Sequence, residues 1–567
     1  MKKIFTSIFR PAVLLSLGLA LTFGCQQINP LEGVELTVNN NIYKSPILIQ
    51  FVDANPNSKT LPKDLTVTIS GPGKDLVFTD LGGKDFKVSG NLLSVVLGQN
   101  ANPTESAPVE FTVSVKGPNY VSTNYSIVVT DLESATYEVP LTNLNALPDG
   151  VGAVSKTTLL ATGETITVPA TSSKPEVAKI SIAPGTQLKD ENGLVINATN
   201  VSSTIVQYGT GTEEAANSLP NEGEGNTIKY KDGTTDFGTF LSAGFVDIEM
   251  TAGGKNVKSF STPLDVTLSL NPSYEDPETE APMNVGDQIP VWSYDKAKDE
   301  WTEEGVATIA KDANGNLVAN FKVSHLSIWT VARNYKGKTC GGTKTIRIKV
   351  NSDVRYGTSK FSAKITYSKN GKAKFSKSFN NFKISNGSSY NIKVKRVPSG
   401  YTGRIVVTPV STSPNTTSKG GSTSFKACNN AVVIVDVKVK ATAPDIPTPT
   451  TTTDTESDAV KVNLDFTAAC ISKNISIKPT VWLKLVDDTN TEQLVSVVEG
   501  KAIIGMKKGV KYTLTATYNG IDFSGEVTIN GDKATIVSST GLNGSFPIDA
   551  TTGEVNATVI YPLNNCQ

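Results

Sequence analysis

The sequence predicts an all-β protein, a series of β-sandwich domains joined end to end. Three observations predict it. Beyond about the first 25 residues, apolar and polar side chains alternate at period two, whereas the 3.6-residue periodicity of an amphipathic helix is scarce. Gly and Pro fall between short runs rich in Val, Ile, Thr, Phe and Tyr, as turns do between strands. The 567 residues exceed what one core organises, which points to roughly three or four domains.

Residues 1–24 read as an export signal. Lys2, Lys3 and Arg10 precede an apolar run from Ala12 to Phe23 that is too short and wrongly flanked to span a membrane. Leu21-Thr22-Phe23-Gly24-Cys25 resembles a bacterial lipobox, with Thr22 and Phe23 departing from the usual pattern. That resemblance implies a lipid-bearing (palmitate) Cys25 as the mature N-terminus. Gln26, rather than Asp, implies an outer-membrane lipoprotein on the periplasmic or surface-exposed face, in the style of Bacteroidota surface lipoproteins. Residues 25–34 are a tether, so the membrane is one expected partner.

The first unit spans residues 35–134. ELTVNN, SPILIQFVDA, DLTVTISGP, DLVFTD, LLSVVLG, PVEFTVSVKGP and YSIVVTDL supply its strand candidates, a number that suits an immunoglobulin-like sandwich. It carries no His/Asp/Glu cluster and reads as a spacer or binding module.

The second unit spans 137–333 and holds three of the four Trp and the single His. The stretch from Glu213 to Asp236 is polar and Gly-rich and reads as a long exposed loop. Several segments in order resemble the astroprincin-type extracellular module: Ile180–Thr186 with Asp190–Gly193, Gly244–Ile248, Ile289–Tyr294, Trp301 with Gly305, and His325–Ser327. The ending also resembles the last strands of GPCR-autoproteolysis-inducing (GAIN) domains, which close on a His-hydrophobic-Ser/Thr tripeptide. That resemblance implies Ser327 as nucleophile, His325 as general base and Leu326-Ser327 as the bond cut, through an acyl shift at a strained turn. The paired cysteines of the GAIN motif are absent. The alternative is a packed corner, with His325 hydrogen-bonded and Trp292, Trp301 and Trp329 in the sandwich core.

The third unit spans 336–441. In SYNIKVKRV, Tyr390, Ile392 and Val394 share one face while Asn391, Lys393 and Lys395 take the other. Lys369-Asn370-Gly371-Lys372 is a hairpin turn. The whole chain balances at 53 Lys+Arg against 53 Asp+Glu, yet this unit sets roughly twenty cations against only Asp353 and Asp436. Its lysines are either a solvated face that guards sheet edges or a field for polyanions, or for the acidic unit beside it. Lys364, Lys372, Lys374, Lys377, Lys393, Lys395 and Arg396 are the candidate contacts. After the Pro/Thr-rich linker at 442–458, the fourth unit at 459–567 weakly resembles carboxypeptidase-regulatory-like sandwiches. With Cys25 assigned to lipid, an oxidising compartment pairs Cys340 with Cys428 and Cys470 with Cys566, each bridging one sandwich from first strand to last.

No P-loop, dinucleotide fingerprint, HExxH or CxxC occurs. One His leaves no base for a hydrolase triad beyond the residue beside Ser327. No cofactor is expected. Calcium at Asp312-Asn314-Asn316 or at Asp190-Glu191-Asn192 is the weaker alternative to plain turns. The expected function is therefore a non-enzymatic, lipid-anchored envelope protein in binding or adhesion, with an anionic polysaccharide or a surface protein as partner and no nucleic acid. The alternatives are a self-processing protein cut at Leu326-Ser327 and an accessory protein for glycan capture.

Overall fold

The computed structural model describes residues 36–562 apart from 40–42, 59, 80–81, 220–224, 239, 272–273, 277–278, 280, 297, 335–343, 353–357, 386–388, 395–399, 412–415, 427–431, 442–458, 471–474, 480, 491, 498, 519–520, 531–532, 539–542 and 552. Signal, lipobox cysteine, the whole tether and the linker lie outside these residues. Among the described residues the fold is all-β, and helix is confined to Glu213–Ser218 and a single 3-10 turn at Lys74–Leu76.

The first unit is a 4-stranded sheet facing a 3-stranded one across a single core that includes Ile47, Phe51, Val95, Phe111 and Ile127. Its boundaries differ from the sequence reading at both ends. Ala135–Leu141 pairs in parallel with Tyr43–Asp53 and closes the first unit rather than opening the second. Alternate residues of that strand, Ala135, Tyr137, Val139 and Leu141, complete the first core. Leu36–Asn39 pairs instead with Ile475–Lys478 of the fourth unit.

The third and fourth units repeat the closure by which the first strand lies parallel to the last. Lys344–Ser352 pairs with Val433–Ala441, and Ala459–Cys470 with Val555–Pro562. The third unit has two 4-stranded sheets around Ile346, Phe361, Ile365, Tyr367, Phe382 and Val437. Asn370 and Gly371 both adopt positive φ, 52° and 77°, as the Asn-Gly hairpin requires.

The second unit is a 14-stranded sheet whose path runs from Glu164–Val168 to Val151–Leu159. It curls until those two end strands approach each other, enclosing a core that includes Ile180, Ile248, Val266, Ala319 and Trp329. The stretch from Glu213 is not an exposed loop. Thr212 caps a helix at Glu213–Ser218 by accepting from the Ala215 N–H, and Gly225–Lys229 with Thr235–Gly238 forms a hairpin paired to the strand at Glu300. Sparse apolar residues explain the difference: Ala215, Leu219, Ile228 and Tyr230 are buried against Trp292, Trp301, Phe240 and Tyr294 on the outer face of the sheet. Trp292 and Trp301 thus fill a second core outside the curl, and only Trp329 faces its interior.

Two tests separate the parts of this second core. Trp301→Ala removes a 1 % exposed ring and is expected to lower the stability of the second unit by about 3–5 kcal/mol in denaturant unfolding. Thr212→Ala, which uncaps the covering helix and removes the hydroxyl's hydrogen bond to the Asp149 carbonyl, is expected to cost about 1–2 kcal/mol.

Candidate functional site

His325, Leu326 and Ser327 form a bend, not a tight hairpin. The strand Leu317–His325 pairs with Glu300–Lys311 and Ser259–Ser269, whereas Ile328–Asn334 pairs with Gln288–Asp295 and Phe240–Ala252. One continuous stretch therefore changes partners across Leu326-Ser327, as strands do where they turn a sandwich corner. The Leu326 N–H donates to the Lys258 carbonyl at 2.9 Å, and the Ser327 carbonyl accepts from the Ile248 N–H at 3.3 Å. Leu326 packs against the inner core. No residue of this bend has positive φ and no described peptide bond is cis.

The side chains take separate partners. His325 Nε2 lies 3.1 Å from Glu304 Oε1, which also accepts from the Ser293 hydroxyl at 2.7 Å. The His325 ring rests 4.9 Å from that of Trp329. Ser327 Oγ donates to the Tyr294 carbonyl. The hydrogen bond to Glu304 raises the His325 pKa above its ordinary value against the opposing effect of burial; the same bond holds the Glu304 carboxyl below its own. Glu304 escaped the sequence reading because it lies on a neighbouring strand, 21 residues away, with no local signal linking it to the His.

In the third unit the structure divides the candidate cations. Lys364 and Lys372 are exposed, and Lys364 Nζ sits 3.3 Å from Glu213 of the helix in the second unit. Lys377 is 6 % exposed, with its ammonium 4.7 Å above the Phe379 ring, so it is not on the surface. The side chains of Lys374 and Lys393 lie outside the described residues, as do Lys395 and Arg396 altogether. Asn391, assigned by alternation to the solvated face, is buried: it accepts from Arg347 Nε at 3.1 Å and donates to the Tyr137 hydroxyl at 3.3 Å. Arg347 is itself held between Asp131 at 2.6 Å and Glu133 at 3.1 Å. One sheet of the third unit therefore docks on the first unit, and burial there pushes the Glu138 carboxyl up to about 7 against the opposing Tyr390 hydrogen bond and Lys383 charge.

The outer face of the other sheet meets the Glu213–Ser218 helix of the second unit at Lys364, Ser376 and Ser378, and beyond that contact it is exposed at Arg404 and Lys426. Lys360, Lys364, Arg404 and Lys426 are exposed on it, and Thr366, Arg404 and Ser424 form one row across three strands, beside the row of Ser368, Thr402 and Lys426; Lys372 is exposed at the hairpin end, in the row of the buried Tyr401. Arg404 and Lys426 were legible in the sequence, since both sit on the outward phase of their strands.

At the two candidate calcium turns the carboxylates have backbone partners. Asp312 Oδ1 accepts from the N–H groups of Asn314 and Asn316, both at 2.9 Å. Asp190 Oδ1 accepts from Asn192 and Leu194, and Oδ2 faces Lys255 at 3.2 Å. Among the described residues no group of three or more His, Cys, Asp or Glu converges to hold a metal. Cys470 ends its strand buried; Cys340, Cys428 and Cys566 lie outside the described residues.

No protein-family model matches the chain, so the resemblances to the astroprincin-type, GAIN and carboxypeptidase-regulatory-like modules gain no support. No curated protein matches it either. Among solved structures, the chain is similar to the C-terminal fragment of pilus adhesin SpaC from Lactobacillus rhamnosus GG, with 9 % identity over 39 % of this chain and 99 % of that one and a TM-score of 0.15. It is similar to the Bacillus anthracis TIE protein at 10 % identity, over 93 % and 69 % of the two chains, with a TM-score of 0.13. A streptococcal ancillary pilin matches at 9 % identity over 49 % and 94 %, with a TM-score of 0.15. Superpositions this loose carry no inference about what this chain binds or does.

The lone histidine makes its titration directly readable. Proton NMR is expected to give His325 a pKa above about 6.5, falling toward that value in Glu304→Gln. The raised pKa means that the His contributes stability fully below its unfolded pKa and loses it as pH rises through the folded one. Glu304, with a lowered pKa, loses its contribution as pH falls through its own folded value. The pair therefore stabilises most in mildly acidic solution.

Proposed function

We propose that the chain is a lipid-anchored, non-enzymatic protein of the cell envelope that binds an acidic polysaccharide through the part of the acid-free sheet face of its third sandwich, around Arg404 and Lys426, that the Glu213–Ser218 helix does not contact. One observation carries this reading. The four strands of that sheet, Thr358–Lys369, Lys372–Ser385, Tyr401–Ser411 and Gly421–Lys426, contain no Asp or Glu. Their outward positions combine cations with Ser and Thr hydroxyls, a surface suited to sulfate or carboxylate groups on a sugar chain. The corner residues are assigned a structural role: His325 is committed to Glu304 and Ser327 to the Tyr294 carbonyl.

The cysteine pairs belong to the same reading. Because first and last strands run parallel, both chain segments reach the same end of each sandwich. Ile346 faces Val433, with Cys340 and Cys428 upstream of them; Ala469 faces Pro562, with Cys470 and Cys566 downstream. Cys340–Cys428 and Cys470–Cys566 would staple the strands that close their units, in an oxidising compartment. Lipid on Cys25 would supply the anchor.

Three measurements test this reading. Binding of the soluble chain lacking its first 25 residues to heparin is expected at low salt and to weaken as salt rises. Arg404→Glu with Lys426→Glu is expected to weaken it about tenfold, while Lys438→Glu on the other sheet leaves it unchanged; binding indifferent to both would sink the proposal. Peptide mapping without reduction is expected to recover the two disulfide-linked pairs. Denaturing electrophoresis is expected to give one full-length band, identical in Ser327→Ala; two bands that merge in the variant would establish cleavage instead.

A further inference from the structure

The segment after Glu164–Val168, at one end of the curled sheet, turns a lysine inward. Lys174 is 0 % exposed. Its Nζ donates to the backbone carbonyls of Pro169 and Glu176 and, at 2.8 Å, to the carboxamide oxygen of Gln207. Gln207 lies on Asn200–Tyr208, beside the strand that forms the other end of the sheet path. The contact therefore bridges the two ends of the curl.

Three features make this more than a buried amine with acceptors. Glu176 and Gln207 are themselves buried, and Glu176 Oε2 and Gln207 Nε2 have no hydrogen-bond partner. Such orphaned groups are costly in a dry interior. Glu176 Oε1, by contrast, accepts from the Thr210 N–H at 3.1 Å. Glycines admit the cluster: Gly152 faces Gln207 across the ladder, and a Cβ there would fall 2.6 Å from Lys174 Cε. A Cβ on Gly209 would meet Lys174 Cγ at 3.1 Å and Glu176 Oε2 at 3.2 Å, so stem and carboxylate flank one point. Burial lowers the Lys174 pKa to about 8 against the opposing charge of Glu176, which brings the neutral amine within reach near neutral pH.

We propose that Lys174 and Gln207 condense into a side-chain amide, with Glu176 carrying the protons. Glu176 Oε2, unpartnered in the resting fold, turns to the Lys174 ammonium and takes one of its protons, which makes the amine the nucleophile. Nζ attacks Gln207 Cδ, one bond beyond the oxygen it already contacts, and forms the C–N bond. The tetrahedral centre collapses as the bond from Cδ to Nε2 breaks. Nε2 takes the proton held by Glu176 together with a second one from Nζ and leaves as ammonium, so Glu176 ends as the carboxylate it began as. No oxidant or co-reactant is required, and holding the amine against the carboxamide at 2.8 Å supplies the orientation that an untethered amine and amide lack. The product removes the orphaned Nε2 and joins both ends of the curled sheet covalently.

Mass spectrometry of the purified chain lacking its first 25 residues decides the matter. The expected result is an intact mass one ammonia below that of the sequence after correction for disulfides, and a branched proteolytic peptide joining the segments that hold Lys174 and Gln207. Lys174→Arg is expected to restore the full mass, and Glu176→Gln to leave the two segments unlinked in a chain whose far-ultraviolet circular dichroism remains that of a β protein. Linear peptides from the unsubstituted chain, carrying a free Lys174 and an intact Gln207 carboxamide, would overturn the proposal whether or not either variant folds. Complete linkage in Glu176→Gln would overturn the role given to the carboxylate.

Discussion

The second unit depends on covering the outside of its own sheet. Curling the sheet buries one face, but Trp292, Tyr294 and Trp301 project from the other, and rings of this size dominate the energy of any surface that buries them. The helix at Glu213–Ser218 and the hairpin behind it supply the cover. Phe240 and Tyr230 approach Trp292 at 5.0 and 5.6 Å, and Tyr294 and Phe240 approach Trp301 at 4.9 and 5.1 Å. This packing also sets the position of the acids on the helix. Glu213 then reaches Lys364 and the Ser376 hydroxyl of the third unit, and Asn217 reaches the Ser378 carbonyl.

Charge distribution follows the same contacts. The neutral total of the chain hides a basic third unit whose cations are partly met by acids of its neighbours: Arg347 by Asp131 and Glu133, Lys364 by Glu213, and Lys383 by Glu492. These pairs differ in weight. Arg347 has a 6 % exposed side chain, so losing its carboxylates would strand a buried cation. The more exposed pairs contribute little beyond orientation. The binding proposal rests on the rest of the sheet that carries Lys364 and Lys383, whose four strands contain no acid of their own.

The corner and the buried lysine illustrate how position decides chemistry. His325 and Ser327 are close in sequence, but a bend that changes strand partners gives the ring to Glu304 and the hydroxyl to a backbone carbonyl. Lys174, in a Pro- and Ser-rich segment, instead meets a carboxamide and two backbone carbonyls inside the fold, within the field of the Glu176 carboxylate.

The sequence by itself determined what is local. Period-two alternation located most strands, the Asn370-Gly371 dipeptide located its hairpin, and outward phase marked Lys364 and Lys372 as exposed. Tertiary structure decided which face each alternating strand presents to what. Alternation separates two sides of a strand, yet it is silent on whether the polar side meets water or another domain; Asn391 is buried for that reason. It is equally silent on pairing partners, since Ala135–Leu141 and Leu36–Asn39 find theirs some 90 and 440 residues away. The polar stretch from Glu213 misled because four apolar residues suffice to cover an aromatic face that only the folded sheet creates.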